Sequence, residues 1–171
     1  MMGNFQVYTD AAPADVERLI DQLRQFSAGV DQFLGADVAD LGTVRVFVFA
    51  THGEYREYRS AAQAAGHAIP FYFVPTLVVS LKPQYVSEEM LRRQVIFHEL
   101  THLLEMRLTR REPPWFVEGI AEYFSTAELY PNACVFGSAH FRHLQELRYG
   151  GDAGLISVGR LVRVQPTDSR D

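Results

Sequence analysis

The spacing of hydrophobic positions changes along the chain and predicts strands interleaved with helices. Residues 43–50 (TVRVFVFA) alternate valine with arginine and phenylalanine, and this β-branched and aromatic content predicts a strand. Residues 16–26 instead repeat apolar side chains at helical spacing, and Pro13 suits the first turn of the helix that this spacing predicts. We expect that helix to end near Gly29 or Gly35.

Shorter elements are predicted before and after that strand. The residues around 5–7 indicate an opening strand, and residues 52–65 predict a short helix that stops at Gly66. Residues 71–81 (FYFVPTLVVSL) predict either one bent strand or two short strands, because Pro75 interrupts the run. The order of these elements indicates a fold that mixes α and β structure.

A longer helix is predicted from Ser87, a suitable N-cap, to Leu108. Its apolar residues fall on most sides, which is typical of a buried helix. It contains HELTH (residues 98–102), and two His four positions apart lie about one turn, roughly 5–6 Å, above each other. Both can therefore bind one metal ion. Glu99, rotated by about 100° from His98, is suited to act as a general base rather than as a ligand.

The next segment, REPPWFVEGIAEYF (residues 111–124), predicts a chain reversal and a second helix. The Pro-Pro pair at 113–114 breaks the first helix, and its second proline fits the opening turn of the next. At a rise of about 1.5 Å per residue, the first helix continues for roughly 9 Å beyond His102, and the second helix returns about 6 Å from Pro114 to Glu118. Glu118 is therefore expected near the height of His102. The spacing thus predicts three ligands, His98, His102 and Glu118, and leaves a fourth position for water, as in catalytic zinc sites.

Glu122 follows Glu118 by one turn on the same helix face and is the competing third ligand. If Glu118 binds the metal, Glu122 can instead accept the outward N–H of a ligating His. The alternative interpretation is a buried helix whose His and Glu side chains have partners within the core. Each of those polar groups would then need its own partner, whereas one shared ion would supply them together.

Composition narrows the class of protein. The chain has 171 residues, of which 47% are hydrophobic, and it carries 16 Lys and Arg against 21 Asp and Glu, for a net charge of -5. Its basic residues are scattered, so we expect no nucleic-acid partner. The single Cys134 excludes an internal disulfide and a cysteine-based zinc site, and it leaves the cellular compartment open. No apolar run approaches the roughly 20 residues of a membrane span, and no secretory signal pattern stands at the start.

HELTH followed by WFVEGIAEYF resembles the gluzincin zinc metallopeptidases of the peptidase MA clan, in particular uncharacterised bacterial members. The resemblance is strongest over residues 87–127. It implies an α+β, zincin-like fold, in which a small twisted mixed sheet packs on the active-site helix and on a following Glu-bearing helix. We expect residues 1–171 to form one such domain, whether as a whole protein or as part of a longer one. By this resemblance one Zn²⁺ is bound by His98, His102 and Glu118, and the catalytic base is Glu99. Glu122 is then expected to contact a ligating side chain without binding the metal itself.

The resemblance implies hydrolysis of peptide bonds in a polypeptide substrate. Related enzymes also use a Tyr, His or Arg side chain to stabilise the oxyanion. His140 and His143 share a face of the helix predicted for SAHFRHLQELRY (residues 138–149) and are the first pair to test. The complete set of candidates after the second helix is Tyr130, His140, Arg142, His143 and Tyr149.

Three further expectations concern the substrate strand, the two remaining histidines and the class of protein. By the same resemblance, residues 76–81 are the candidate edge strand that pairs with an extended peptide, and an ordinary core strand is the alternative. His52 and His67 are expected in loops or at the surface. The alternative function is a catalytically inactive, zincin-fold module that binds peptides or serves as a scaffold.

Overall fold

A computed structural model of the protein describes residues 4–35, 42–58, 66–69, 74–82, 89–108, 112–150 and 156–163. Its strands are β1 (Asn4–Thr9), β2 (Thr43–Phe49), β3 (Gly66–Ile69), β4 (Thr76–Ser80), β5 (Glu128–Tyr130) and β6 (Ala133–Val135). Its helices are α1 (Pro13–Leu34), α2 (His52–Tyr55), α3 (Glu89–Leu108), α4 (Pro114–Ser125), α5 (Phe141–Tyr149) and α6 (Val158–Leu161), and a 3₁₀ turn, Arg56–Tyr58, follows α2. The mixed α and β character predicted from the sequence is confirmed. None of the helices in these ranges is long and apolar enough to cross a membrane.

The main sheet has the strand order β1-β2-β4-β3. Strands β1, β2 and β4 run parallel, and β3 is antiparallel to β4, so the sheet is mixed. A separate antiparallel hairpin is formed by β5 and β6. In the described part of the chain, β3 therefore ends the sheet on one side and β1 on the other.

The prediction that residues 76–81 form a peptide-binding edge is wrong. Strand β4 is paired on both sides, with β2 and with β3, and all five of its residues are buried. A continuous apolar run such as Leu77-Val78-Val79 is typical of a strand covered on both faces. The edge next to α3 is β3, which follows α2 in the chain.

The core lies between one face of the sheet and helices α1 and α3. The valines at 44, 46 and 48 point into it, as their alternation in the sequence predicts. Phe26 of α1 stacks on Phe97 of α3 with ring centroids 4.3 Å apart. The residue next to His98 thereby fixes helix α3 against helix α1.

Two glycines considered as ends of the first helix have different roles. Gly35 caps α1 in the left-handed conformation, with φ of 64°, which a side chain would strain. Gly29 lies within the helix, where an added Cβ would come within 2.6 Å of Cys134 Cβ. Gly29 thus allows the β5–β6 hairpin to approach α1 closely.

The segment around His67 differs from its prediction. A helix was predicted over residues 52–65. In the structure, α2 ends at Tyr55 and a 3₁₀ turn follows it to Tyr58, while residues 59–65 lie outside the described residues. Gly66 begins strand β3 instead of ending a helix. His67 is half-buried in that strand, with Nδ1 3.0 Å from the Tyr55 hydroxyl, and burial lowers the pKa of His67. Its expected loop position is therefore wrong.

Candidate metal centre

Helices α3 and α4 pack against each other, and Pro113 is the N-cap of α4. The predicted start of α4 at Pro114 is confirmed, and the described helix α3 begins at Glu89, with Ser87 outside the described residues. Helix α4 buries Ala121 and Phe124. The buried side of α3 consists of Ile96, Phe97, Leu100, Leu103 and Leu104. These contacts leave the HELTH histidines, half-buried, facing the glutamates of α4.

The three predicted ligands converge on one point. His98 Nε2 lies 3.0 Å from His102 Nε2 and 3.3 Å from Glu118 Oε2, and His102 Nε2 lies 3.7 Å from the same oxygen. A tetrahedral zinc ion, with bonds of about 2.0–2.1 Å, keeps its donor atoms about 3.3 Å apart. The spacing of these three donors therefore fits a single ion. The Glu118 side chain is 61% exposed, so the centre opens to solvent on that side.

Each of the two candidate ligands, His98 and His102, has a carboxylate at the ring nitrogen that faces away from the other donors. Glu122 Oε1 lies 3.5 Å from His98 Nδ1, and Glu105 Oε2 lies 3.3 Å from His102 Nδ1. Such contacts fix the ring orientation and direct Nε2 toward the metal. Glu122 faces Nδ1 of His98, and this position favours orientation over ligation. Glu105 was missed in the sequence, although its spacing of three residues after His102 was a signal that it shares that side chain's face.

Glu99 points toward the sheet edge. Its Oε2 accepts a hydrogen bond of 2.9 Å from the backbone N–H of Ala68 in β3. Burial raises the pKa of Glu99, while the nearby His98 and His102 oppose that shift. A carboxylate held beside the centre, with its pKa moved toward neutrality, is suited to proton transfer.

The protonation of the donors bears on metal binding. A hydrogen bond from His98 lowers the pKa of Glu118, so this carboxylate stays ionised. Burial disfavours the charge on His102, but the hydrogen bond to Glu105 and the surrounding negative charges outweigh burial and raise the pKa of His102. Because a metal must displace that proton, its affinity falls as the pH is lowered through this raised pKa.

Replacing Glu105 by Gln tests the support of His102. The amide keeps the size of the side chain but removes the charge, so we expect zinc affinity to fall by about 10–100-fold while the fold is retained. The measurement is a competition titration against a coloured zinc chelator, with circular dichroism to check the fold. Glu17→Gln, at an exposed position of α1, is the matched control. Equal affinity in both variants would show that Glu105 does not support the centre.

The structure separates the candidates for oxyanion stabilisation. His143 Nε2 lies 3.2 Å from Glu122 Oε2, and the ring of His140 is 4.1 Å from that of His143, so both lie beyond Glu122, on the Nδ1 side of His98. The Tyr130 hydroxyl donates instead to Glu128 in the β5–β6 hairpin. Tyr149 is 74% exposed at the end of α5. The side chain of Arg142 lies outside the described residues.

Comparisons with known protein families, with curated proteins and with solved structures find no match to this chain. Its function must therefore be inferred from the centre itself. Three converging donors, carboxylates at the other ring nitrogens of both imidazoles and the half-buried Glu99 are suited to metal-assisted hydrolysis.

Proposed function

We propose that this protein is a zinc metallopeptidase of the gluzincin type, with a zincin-like fold, that hydrolyses peptide bonds. The observation that carries the proposal is the convergence of His98, His102 and Glu118 within 3.0–3.7 Å, with the separate carboxylate of Glu99 beside them. A scaffold module would have no use for a half-buried base next to an accessible metal position. The sequence resemblance to gluzincins supports the same function.

The residues of the centre divide into those that bind the metal and one that transfers a proton. His98, His102 and Glu118 would bind a zinc ion, which supplies Lewis acidity and lowers the pKa of water to about 7. Glu99 accepts a proton from the attacking water and later donates it to the leaving nitrogen. The Ala68 N–H holds one oxygen of Glu99 and leaves the other for this transfer.

Strand β3 is the best candidate for binding an extended substrate. The N–H of Ala68 points to Glu99 and away from β4, although Ala68 lies opposite Leu77 in the ladder. In antiparallel strands the N–H and C=O of one residue point to the same side, so the Ala68 carbonyl also faces outward. A polypeptide that adds to this edge by β-pairing would pass beside Glu99. This edge replaces residues 76–81 as the proposed substrate strand.

The proposal is tested by incubating zinc-loaded protein with a library of unstructured peptides in ¹⁸O-water. We expect new peptide termini, with ¹⁸O in each new carboxylate, because water is the nucleophile. A chelator should stop the cleavage and added zinc should restore it. Peptides that bind to zinc-loaded protein but stay intact would overturn the proposal and favour a peptide-binding module.

A further inference from the structure

A second group of metal-binding side chains lies beyond Glu122. Glu122, His140 and His143 each offer a ligand atom, and these atoms lie within 4.8 Å of one another. The closest measured pair, His143 Nε2 and Glu122 Oε2, is separated by 3.2 Å, which is close to the donor spacing of the first centre. All three residues are half-buried, in contrast to the exposed Glu118.

The backbone brings the two histidines together at the start of α5. His140 is the N-cap of that helix and His143 lies in its first turn. Their ring centroids are 4.1 Å apart, with 37° between the ring planes. Both rings thus stand on the side of α5 that meets Glu122 of α4.

His143 is oriented as a ligand would be. Its Nδ1 lies 3.2 Å from Oε2 of Glu146, and its Nε2 faces Glu122. The same carboxylate–imidazole arrangement orients His102 in the first centre, where Glu105 stands at Nδ1. Ligating histidines usually donate the ring N–H that does not face the metal to a carboxylate, a backbone carbonyl or a water, and Glu146 supplies such a carboxylate here.

We propose that Glu122, His140 and His143 form a second binding site for a divalent transition-metal ion. Two imidazoles and one carboxylate favour zinc over magnesium or calcium, which prefer oxygen ligands alone. The site does not depend on Glu118 or on peptidase activity. It is therefore independent of the proposed function, although it shares one residue with the surroundings of the first centre.

Glu122 connects the two sites. Its Oε1 faces His98 Nδ1 at 3.5 Å, and its Oε2 faces His143. An imidazole ring and a carboxylate thus separate the two ions, unlike the bridged pairs of two-metal enzymes, which lie about 3.5–4 Å apart. A cation bound at Oε2 would reduce the negative charge on the Glu122 carboxylate, the group that orients His98. We therefore expect each ion to weaken the binding of the other by the same factor.

The test is a titration of metal-free protein with Co²⁺ and with Zn²⁺, followed by calorimetry and, for cobalt, by visible absorption. We expect two ions on the wild type and one on His140→Ala/His143→Ala, and we expect Glu118→Ala to keep the second site. Single variants at His140 and His143 should each weaken the second ion at least tenfold. Leu144→Ala, an exposed change in the same helix, is the control, and circular dichroism checks the fold.

The outcomes separate the two proposals. A single ion that is lost in Glu118→Ala, with no second ion at millimolar zinc, would overturn the second site and leave the peptidase centre intact. A single ion that is lost only in the variants at His140 and His143 would establish the second site and remove the basis of the proposed function. Two ions that persist in the double histidine variant would also overturn the second site.

Discussion

Glu99→Gln is expected to retain zinc and to lose peptide hydrolysis by a factor of about 10²–10⁴, the usual contribution of a general base. The amide has nearly the shape of the carboxylate, and its oxygen can still accept the Ala68 N–H. It cannot accept a proton from water at neutral pH. The variant should therefore have a lower kcat and nearly the same zinc content as the wild type.

This prediction is checked by measuring kcat/KM beside the zinc content from elemental analysis. Glu17→Gln, which makes the same change at an exposed position far along the chain, controls for the altered net charge. If Glu99→Gln hydrolysed peptides at the wild-type rate with a full complement of zinc, Glu99 would not be the base. If it lost its zinc, the carboxylate would instead be needed for binding.

Glu118→Ala is expected to empty the first centre, because it removes a donor 3.3 Å from His98 Nε2 and 3.7 Å from His102 Nε2. The loss of zinc affinity should exceed the roughly 10–100-fold contributed by residues that only orient a ligand. Glu122→Ala should stay within that smaller range, since Glu122 contacts Nδ1 of His98. The two variants differ by one helical turn and provide a matched comparison.

The comparison is made with one equivalent of zinc, so that the stronger site fills first. Affinities come from competition with a chelator, and zinc content from elemental analysis. A larger loss in Glu122→Ala than in Glu118→Ala would move the third ligand by one turn. Glu118 would then not be the third ligand, although its carboxylate lies 3.3 Å and 3.7 Å from the two histidine Nε2 atoms.

The two helices that carry the candidate ligands were predictable because their signals are local. The four-residue spacing of the histidines, the Pro-Pro break and the rise per residue together place Glu118 opposite His102 without any knowledge of the sheet. The convergence of these side chains in the structure matches that expectation. Glu105 had the right spacing too, but only its burial against His102 distinguishes it from an ordinary solvated glutamate.

The position of the edge strand was not predictable in the same way. Strand β4 comes later in the chain than β3 but lies between β3 and β2, and the order of strands in a sheet depends on contacts between distant residues. The four residues of β3, GHAI, carry little strand signal of their own. Their conformation depends on pairing with β4, so a local pattern favours the longer apolar strand instead.

The hydrogen bond between Ala68 and Glu99 bears on the order of events during folding. The metal donors all belong to two consecutive helices, whereas the support of the base joins residues 31 positions apart and requires a finished sheet edge. Contacts between residues that are close in sequence form more readily than contacts between residues that are further apart. A partly folded chain would thus hold its candidate metal donors before Glu99 is in place, and the proposed peptidase activity would arise only when the sheet edge is complete.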